Sequence, residues 1–370
     1  MNQRVTFLTN LLGHGGAGTQ IDRVSRGLAA RGWDVAVLTL RPNERPVDNL
    51  QAAGVTVDCL YLDNHIRYLL GLFTGSSALR SRAPGALVAF LFQPDLLARV
   101  LGHGHGFEAL ISGLRNENIG GRWRERILKA LDSRTNIVMS NARRVADAFE
   151  RDDRISTRPI SVVPNAVDLD RLHASRECTR QQMRTALGFS DKSFVWISVG
   201  QERPQKNYPG LIEAFAQIHD IESHLVIVGS GHSATDLDPI IQGLGLGDRV
   251  HRLGPRTDVP DLLGAADGFA LASDHEGSSN ALIEAAALGL PCIATDVGGA
   301  RDVVTEGRSG FLVAAGDVPG LADAMARLAA LDLTERGRMG DAARADAVAR
   351  FGMANVLDEW EDLLYRVLER

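Results

Sequence analysis

Cysteine is scarce in this chain of 370 residues, and its three copies, Cys59, Cys178 and Cys292, stand far apart. That number and spacing exclude a C-x-x-C metal pair and the paired cysteines of a disulfide scaffold. Residues 5–12 form an apolar run near the N-terminus, but polar residues interrupt it and no small-residue cleavage site follows, unlike in a signal peptide. No apolar run approaches the ~18 residues that span a bilayer. These absences predict a cytoplasmic protein.

Low-complexity segments and internal repeats are also missing, and 45% hydrophobic with 23% charged residues is the balance of a globular chain. At ~100–200 residues per domain, the length predicts two domains. Residues 1–166 contain 21 Lys and Arg against 15 Asp and Glu, whereas residues 167–370 contain 19 against 31. The first half therefore favours an anionic partner. The isoelectric point near 5.9 disfavours general nucleic-acid binding, and no nucleic acid is expected as a partner.

Short apolar runs alternate with amphipathic stretches along most of the chain. This alternation predicts two α/β domains, each a doubly wound parallel sheet covered by helices, with a boundary after residue 166. In the first domain, helices are expected over residues 19–31 and over residues 141–151, the second capped by Asn141. The predicted strands are residues 5–9, 35–40, 55–60, 86–92, 110–114, 137–139, 160–163, 194–199, 225–228, 250–253, 269–272, 292–295 and 311–313.

A glycine-rich segment, GHGGAG at residues 13–18, follows the first predicted strand and opens a helix. In its G-x-G-x-x-G spacing, backbone N–H groups and a helix N-terminus can approach an anionic group such as a phosphate. Arg41, at the end of the second predicted strand, keeps an NADP-dependent oxidoreductase open as one alternative, because an arginine can bind the 2′-phosphate. A plain glycine turn is another.

The strongest pattern lies in SDHEGSSNALIEAA, residues 273–286. Small polar residues at 278–280 can cap a helix, which places Glu276 on the loop before it and Glu284 within it. Both carboxylates can then reach one ligand. The N–H groups of residues 279–282, free of helix partners, would face a phosphate, and Glu284 can accept hydrogen bonds from the two hydroxyls of a ribose.

Two cations follow the first predicted strand of the second half. Arg203 and Lys206 come shortly after that strand ends, which places them at the carboxyl edge of the sheet. Two cations without a cluster of metal ligands suit the negative charge of a diphosphate leaving group. The D-x-D sequence at residues 168–170 lies in the stretch between the predicted domains, and the one at residues 236–238 opens a predicted helix. Both are interpreted as acidic residues with no function beyond capping. No metal ion is therefore expected.

These motifs together resemble those of the retaining glycosyltransferases of family four, which have the GT-B fold and use nucleotide-sugar donors. The resemblance extends from residue 5 to about residue 316 and rests on several motifs in the same order. The matching residues are Glu276 and Glu284 for the E-x7-E motif, Lys206 for the lysine of G-R-x-x-x-x-K, Gly15 and Gly16 for the N-terminal glycine loop, and VPNAVD at residues 163–168 for the P-N-G-[VI]-D stretch between domains.

The resemblance implies two Rossmann-like domains that face each other across a cleft. Residues 1–166 would bind the acceptor, a C-terminal helix at residues 353–370 would cross back to them, and residues 167–352 would bind the nucleotide sugar. The implied reaction is a metal-independent transfer, with retention, from a UDP- or GDP-linked donor to an acceptor hydroxyl. It would need no cofactor and would serve the assembly of cell-surface polysaccharide or glycolipid.

The resemblance also assigns roles to single residues. Arg203 and Lys206 would stabilise the leaving diphosphate, and Glu276 would contact the donor sugar. The expected catalytic residues are Arg203, Lys206, Glu276 and Arg115. The expected donor-binding residues are Gly15, Gly16, Ser278, Ser279, Asn280, Ala281, Leu282 and Glu284.

Three positions depart from the family pattern, of which Ala166, in place of the glycine of the linker motif, is expected to matter little. Gln201 stands where the family has an arginine directly after the strand-end glycine, so Arg203 is expected to substitute for it. Arg115 stands where members often have a histidine near the acceptor, which favours an anionic acceptor. Gln201 and Arg115 also keep open a non-catalytic subunit that only binds a nucleotide sugar.

A basic segment, RWRERILKAL at residues 122–131, surrounds an apolar stripe that includes Trp123, Ile127, Leu128 and Leu131. Such a helix can lie on an anionic membrane, or it can bury the stripe in the domain core. The acceptor is accordingly expected to be a glycan that is lipid-linked or anionic, with the protein at the inner face of the membrane.

Overall fold

The computed structural model describes residues 3–13, 15–44, 46–74, 77–174, 178–218, 222–229 and 236–369. The chain divides into two compact units. Unit one consists of Met1–Ala166 and Met353–Arg370, and unit two consists of Val167–Gly352. Each unit is an α/β domain with one parallel sheet.

Unit one alternates strands and helices along its first 166 residues. Its strands are β1 (Arg4–Thr9), β2 (Asp34–Thr39), β3 (Thr56–Cys59), β4 (Ala86–Phe90), β5 (Ala109–Leu114), β6 (Ile137–Ser140) and β7 (Ser161–Val162). Its helices are α1 (Gly16–Ala30), α2 (Asp48–Ala52), α3 (His65–Thr74), α4 (Ser77–Arg80), α5 (Phe92–Leu101), α6 (Arg122–Ala130) and α7 (Arg143–Glu150). The strand order in the sheet is β3-β2-β1-β4-β5-β6-β7.

The core of unit one is completed by the last helix of the chain. Strands of this sheet are nearly continuous apolar runs because both faces are covered; Val5, Phe7 and Leu8 of β1 are all buried. Trp360 of the last helix meets the rings of Phe7 and Phe90 edge-on, at centroid distances of 5.6 and 6.4 Å. Truncating a buried aromatic ring costs about 3–5 kcal/mol, so this helix is part of the core.

Unit two repeats the pattern with six strands. They are β8 (Phe194–Val199), β9 (Ser223–Val228), β10 (Val250–Gly254), β11 (Gly268–Leu271), β12 (Cys292–Thr295) and β13 (Gly310–Val313), in the order β10-β9-β8-β11-β12-β13. The helices are α8 (Leu169–Ala174), α9 (Arg180–Ala186), α10 (Tyr208–Ala216), α11 (Asp238–Gly243), α12 (Val259–Ala265), α13 (Asn280–Ala287), α14 (Ala300–Val303), α15 (Val318–Ala329) and α16 (Leu333–Phe351), and the last helix of the chain is α17 (Met353–Leu368). Within the ranges described, no helix is both long and apolar enough to cross a membrane.

The strand order places the first strand of each unit between its second and fourth strands. β1 lies between β2 and β4, and β8 lies between β9 and β11. At the central strand the order of the strands reverses, so the chain leaves neighbouring carboxyl ends in opposite directions. This divergence opens the crevice where ligands of doubly wound sheets bind. In unit two the loops after β8 and β11 carry Lys206 and Glu276. The sheet order therefore brings two separate sequence motifs to one edge.

All thirteen strands expected from the sequence are present, and their ends differ from the expected ones by two residues at most. The doubly wound fold is thereby confirmed. The second predicted helix is shorter than expected, Arg143–Glu150, and begins after Ala142, which makes no side-chain cap. The prediction that Asn141 caps it is wrong, because Ala142 stands at the N-cap position and no side chain caps the helix. The Asn141 amide donates to Asn165 Oδ1 at 3.3 Å.

The chain passes from unit one to unit two after Ala166, whose backbone is held by α1. Gln20 Nε2 donates to the Ala166 carbonyl at 2.9 Å, and the Ala166 N–H donates to Gln20 Oε1 at 2.7 Å. Arg23 Nη1 donates to the same carbonyl at 2.9 Å. In unit two, Val167 forms a β-bridge with Gly352, where the chain leaves that unit. Hydrogen bonds to the backbone therefore anchor both ends of the crossing within their own units.

Candidate active site

Two loops at the carboxyl edge of the unit two sheet bring Lys206 and Glu276 into contact. The loop after β8 contains the short 3-10 turn Pro204–Lys206, and the loop after β11 leads into α13. Lys206 Nζ lies 2.6 Å from Glu276 Oε1, and the two side chains are only 13% and 11% exposed. Salt screens such a shielded ion pair much less than a pair on the open surface.

A buried hydroxyl binds the same carboxylate. Ser273 Oγ donates to Glu276 Oε1 at 2.8 Å, and Ser273 has no exposed surface. Thr295 Oγ1, at the end of β12, donates in turn to the Ser273 carbonyl at 2.5 Å. Lys206 and Ser273 both bind Oε1 of Glu276, and an ionised carboxylate can accept further hydrogen bonds at its second oxygen. Ser273 therefore orients Glu276 while leaving it able to accept from a ligand hydroxyl.

Further hydrogen bonds join the two loops. The Asp274 N–H donates to the Gln205 carbonyl at 2.8 Å, and Asn207 Nδ2 donates to Asp274 Oδ1 at 3.2 Å. Asn207 has a left-handed φ of 47°, which asparagine tolerates better than most residues. Its Oδ1 accepts from the Gly210 N–H at 3.1 Å and so caps α10. The turn that carries Lys206 is thus held on both sides.

Two glycines allow the close approach of these loops. A Cβ at Gly200 would lie 3.1 Å from Lys206 Cε, so the lysine stem packs directly on the glycine backbone. Gly298 has a left-handed φ of 50°, and a Cβ there would lie 2.4 Å from the carbonyl oxygens of Glu276 and Gly277. Any larger residue at Gly298 would push the loop of Glu276 out of place.

The E-x7-E segment folds as a loop followed by a helix, with Glu276 on the loop and Glu284 in the second turn of α13. Residues 278–282 form the cap and first turn of that helix. Ser279 is the N-cap, and its Oγ accepts from the Leu282 N–H over a long 3.5 Å. The prediction of a free N–H at Leu282 is wrong, because the cap side chain binds that group. Glu284 is partly buried.

Arg203 does not share the arrangement of Lys206 and Glu276. Its side chain is exposed, and the described part of the chain provides it with no ion-pair partner. Its neighbour Glu202 is buried instead, at 2.9 Å from Arg252 of β10. Sequence reasoning missed this pair, since an isolated Glu between two polar residues gives no sign of burial. Whether Arg203 substitutes for the arginine absent at Gln201 stays a prediction.

A pocket of about 560 Å³ opens at the carboxyl edge of the unit one sheet. Its lining includes Asn10 after β1, Arg41 after β2 and Arg115 after β5. Arg124 and Leu128 line it from α6. Three arginines around one pocket give it a positive potential that favours an anionic ligand.

Arg115 is held at the pocket by contacts on two sides. Its guanidinium lies 4.2 Å from the centre of the Phe90 ring, and its Nη1 donates to Asn165 Oδ1 at 2.8 Å. The ring fits there because a Cβ at Gly113 would lie 2.2 Å from it. Burial lowers the pKa of the Arg115 guanidinium to about 10, which leaves it charged at neutral pH.

A buried ion pair supports the same pocket. Arg99 Nε lies 3.1 Å from Asp95 Oδ1, and the two side chains are 1% and 6% exposed. Ser112 Oγ accepts from Arg99 Nη2 at 3.0 Å and donates to Asp95 Oδ2 at 2.6 Å, while Arg99 Nη1 donates to the Leu128 carbonyl at 2.8 Å. Removing one partner would leave a buried charge unpaired. Sequence reasoning missed it, because an Asp and an Arg four residues apart are typical of an exposed helix face.

The glycine-rich loop forms the start of α1, with Gly15 as N-cap and Gly16 as first residue. A Cβ at Gly18 would lie 2.8 Å from the Gly13 carbonyl oxygen, so this glycine permits a tight fold of the loop. A Cβ at Gly13 would lie 2.7 Å from Glu44 Oε2. Because a carboxylate repels phosphate, Gly15 and Gly16 remain the candidates for an anion in this loop.

Helix α6 divides the basic segment between core and surface. Leu128 is buried, whereas Trp123 and Ile127 are 56% and 36% exposed. The Arg124 guanidinium lies 4.9 Å from the centre of the Phe92 ring and 5.2 Å from that of Trp123. The stripe is therefore buried at Leu128 and exposed at Trp123 and Ile127, and contact of the exposed part with a membrane stays a prediction.

The two D-x-D segments have local partners. Asp168 Oδ1 accepts from the Arg171 N–H at the start of α8, and Asp236 Oδ1 accepts from the Asp238 N–H. Asp238 also pairs with Arg252. Among the residues that the structure describes, no group of three or more His, Cys, Asp or Glu side chains could hold a metal ion.

Two family models match the chain in sequence. The model of glycosyl transferases group 1 matches residues 179–346, and that of Glycosyltransferase Family 4 matches residues 14–171. The chain belongs to glycosyltransferase family 4. Membership of this family disfavours the NADP-dependent oxidoreductase alternative, since Gly15 and Gly16 of the glycine loop and the whole E-x7-E segment fall inside the matched residues.

Two curated relatives of this family 4 chain match just over half of it. N-acetyl-alpha-D-glucosaminyl L-malate synthase of Bacillus anthracis is 31% identical over 57% of this chain and 55% of its own length. UDP-Gal:alpha-D-GlcNAc-diphosphoundecaprenol alpha-1,3-galactosyltransferase of Escherichia coli is 35% identical over 55% of this chain and 53% of its own length. The chain thus spans about half the length of the curated relatives it matches.

Solved structures resemble the family 4 chain over nearly its whole length. Anabaena HepE in complex with UDP has a TM-score of 0.83 and 21% identity, covering 98% of this chain and 100% of that one. Sucrose-phosphate synthase of Thermosynechococcus elongatus has a TM-score of 0.83 and 19% identity, with 99% of both chains covered. These likenesses confirm the GT-B fold.

Replacement of Ser273 by alanine tests the hydrogen bond that orients Glu276. Ser273→Ala should lower the free energy of unfolding by about 1.5–3 kcal/mol, because a buried carboxylate loses a charge-assisted hydrogen bond. Urea unfolding followed by tryptophan fluorescence measures the change. The control is Thr185→Ala, an exposed hydroxyl of α9, which should change it by less than about 0.5 kcal/mol. Equal stability of wild type and Ser273→Ala would remove the orienting role.

Proposed function

We propose that this chain transfers a sugar, with retention at the anomeric carbon, from a nucleotide diphosphate sugar to an acceptor hydroxyl. The observation that carries the proposal is the 2.6 Å contact of Lys206 Nζ with Glu276 Oε1 at the carboxyl edge of the unit two sheet. A lysine can bind a diphosphate, and a carboxylate can accept hydrogen bonds from sugar hydroxyls. A lysine and a carboxylate side by side can therefore bind the diphosphate and the sugar of such a donor.

In the proposed reaction, the bond between the anomeric carbon and the diphosphate oxygen breaks. A bond from the same carbon to the acceptor oxygen forms on the same face of the sugar, and the acceptor proton passes to an oxygen of the departing diphosphate. Lys206 would neutralise the negative charge that develops there, with Arg203 and the N-terminus of α13 assisting. This front-face course follows from the family resemblance and requires no side-chain nucleophile.

The resting ion pair is compatible with donor binding. Lysine has three N–H donors, so Lys206 can keep its bond to Glu276 and still bind a phosphate oxygen. Glu276 would orient the donor sugar, and Glu284 would bind the ribose. We propose a UDP- or GDP-linked donor and neither cofactor nor metal ion. HepE, solved with UDP and with UDP-glucose, supports uridine as the first nucleotide to test.

We propose that the unit one pocket binds the acceptor and that the acceptor is anionic or lipid-linked. Arg115, Arg41 and Arg124 line the pocket, and the charge of its one lining carboxylate, Asp95, is paired with Arg99. Names of relatives contain L-malate, inositol 3-phosphate and diphosphoundecaprenol, and others denote lipopolysaccharide core biosynthesis. These names support a role in the assembly of cell-surface glycans.

Peripheral contact of unit one with an anionic membrane is a further part of the proposal. Of the ten exposed large apolar side chains in the described residues, eight belong to unit one. Ile66, Leu69 and Leu70 of α3 are 73%, 55% and 57% exposed, and Trp123 and Ile127 of α6 add to them. Apolar side chains beside basic ones are typical of a surface that lies on anionic lipid, which would place the protein at the inner face of the membrane.

Two alanine variants should separate donor binding from turnover. Glu284→Ala should weaken the affinity for a nucleoside diphosphate roughly ten- to hundredfold, since hydrogen bonds from the ribose to a charged group are lost. Lys206→Ala should reduce turnover about 10²-fold or more and affinity less, because its charge is needed most as the diphosphate leaves. Calorimetry with UDP and GDP measures the affinity of Glu284→Ala. Release of nucleotide from the best-bound nucleotide sugar measures the turnover of Lys206→Ala.

The control for these variants is Lys192→Ala, which removes an exposed lysine of the same unit and should change neither affinity nor turnover.

Arg203→Ala and Gln201→Ala locate the second cation. A loss of turnover in Arg203→Ala but not in Gln201→Ala supports the substitution by Arg203. Unchanged affinity in folded Glu284→Ala would remove the ribose role. A wild-type chain that binds nucleotide sugars and never turns them over would establish the non-catalytic alternative instead.

Arg115→Gln should lower transfer to an anionic acceptor at least about tenfold while leaving donor hydrolysis unchanged, because only the acceptor would lose a charged contact. Transfer to malate, inositol 3-phosphate and neutral inositol provides the comparison. Arg134→Gln, an exposed arginine of the same unit outside the pocket, should behave as wild type. A preference for the neutral acceptor in the wild-type chain would contradict the anionic assignment.

Leu69→Ser combined with Trp123→Ser should reduce binding to vesicles of phosphatidylglycerol and phosphatidylcholine about tenfold or more, since each apolar side chain contributes on burial in the interface. Sedimentation with the vesicles measures the bound fraction. Leu333→Ser removes a leucine of unit two that is 79% exposed and should have no effect. An equal loss in Leu333→Ser would show that the contact is not specific to unit one.

A further inference from the structure

A second cavity lies on unit one, between α6 and the segment that follows α7. It has a volume of about 640 Å³, and four arginines line it, Arg122 and Arg126 from α6, and Arg151 and Arg154 from the segment after α7. Glu125 and Asp152 are its acidic lining residues. The six charges leave the cavity with a net charge of +2.

One of the arginines is committed to the structure of the cavity. Arg154 forms a two-pronged ion pair with Glu125, whose side chain is only 8% exposed, with Nε to Oε2 at 3.0 Å. Arg154 also donates to the carbonyls of Ala148 and Glu117 and lies 4.2 Å from the centre of the Phe149 ring. This pair joins α6 to the α7 segment, and it neutralises the buried acidic residue of the cavity.

The other three arginines of the cavity make no comparable ion pair within the described residues. Arg122, Arg126 and Arg151 are exposed, and within the described ranges none of them has an ion pair or a side-chain hydrogen bond. Asp152 is exposed beside them. Like charges held around one concavity repel each other, and an anion that enters the cavity relieves that repulsion. The cavity is therefore prepared for a negatively charged group.

We propose that this cavity, the α6–α7 cleft, is a binding site for a phosphate group, carried by a soluble phosphate ester or by a phospholipid headgroup. One guanidinium group can donate two parallel hydrogen bonds to two oxygens of a phosphate. Several guanidinium groups from two chain segments can bind one phosphate from different sides. The site is distinct from the pocket of Arg115. Arg124 and Leu128 on α6 line that pocket, whereas Arg122, Glu125 and Arg126 line the cleft.

The test compares two double variants that change the charge equally. Arg126→Gln with Arg151→Gln removes two arginines of the cleft, and Arg134→Gln with Arg80→Gln removes two exposed arginines of unit one outside it. Each is measured by calorimetry with glycerol 3-phosphate and by sedimentation with phosphatidic acid vesicles. The cleft variant should lose about tenfold or more in affinity for at least one probe, and the control variant less than about twofold.

Loss with glycerol 3-phosphate supports a soluble phosphate ester as the ligand, and loss with vesicles alone supports a lipid headgroup. Equal loss in both double variants would mean that the binding follows total charge, and it would overturn the proposal. Unchanged binding in the cleft variant would overturn it as well. UDP affinity and stability to urea should match wild type in both variants, so the outcome does not depend on the proposed transferase activity.

Discussion

Parallel strands present all their carboxyl ends at one edge of the sheet, and both units depend on this constraint. Because β8 lies between β9 and β11, the loops after β8 and β11 start side by side although about seventy residues separate them. The same order around β1 brings the loops of unit one to the edge where Arg115 lies. The strand order creates each crevice, and the loops supply the side chains that can contact a ligand there.

The contact of Lys206 with Glu276 illustrates how such a crevice keeps charged groups ready for a ligand. Two nearly buried charges would be costly if either were alone, and each provides the partner that the other needs. Ser273 and the backbone around Gly298 hold the carboxylate, while Asn207 and Gly200 hold the turn of the lysine. The geometry is therefore set before a substrate arrives, which is the condition for electrostatic stabilisation of a leaving group.

The two units differ in surface chemistry although their folds are alike. Unit one combines most of the exposed large apolar side chains with three arginines around its pocket, whereas unit two, residues 167–352, contains 26 Asp and Glu against 17 Lys and Arg. This difference follows from side chains outside the sheet, since the cores of both units use the same buried aliphatic strands. Among the described residues of unit two, the candidates for binding an anion are Lys206, Arg203 and the start of α13.

The sequence by itself determined the thirteen strands, the boundary motif and the family, because buried strands need apolar runs and the glycine and E-x7-E motifs are local patterns. Tertiary structure decided the rest. Asp95 and Arg99 are buried and bind Ser112 of β5, and Arg99 also binds the Leu128 carbonyl of α6. Asn141 precedes the N-cap of its helix and donates to Asn165. Such partners lie far apart in sequence or depend on what packs above them, so no local pattern records them.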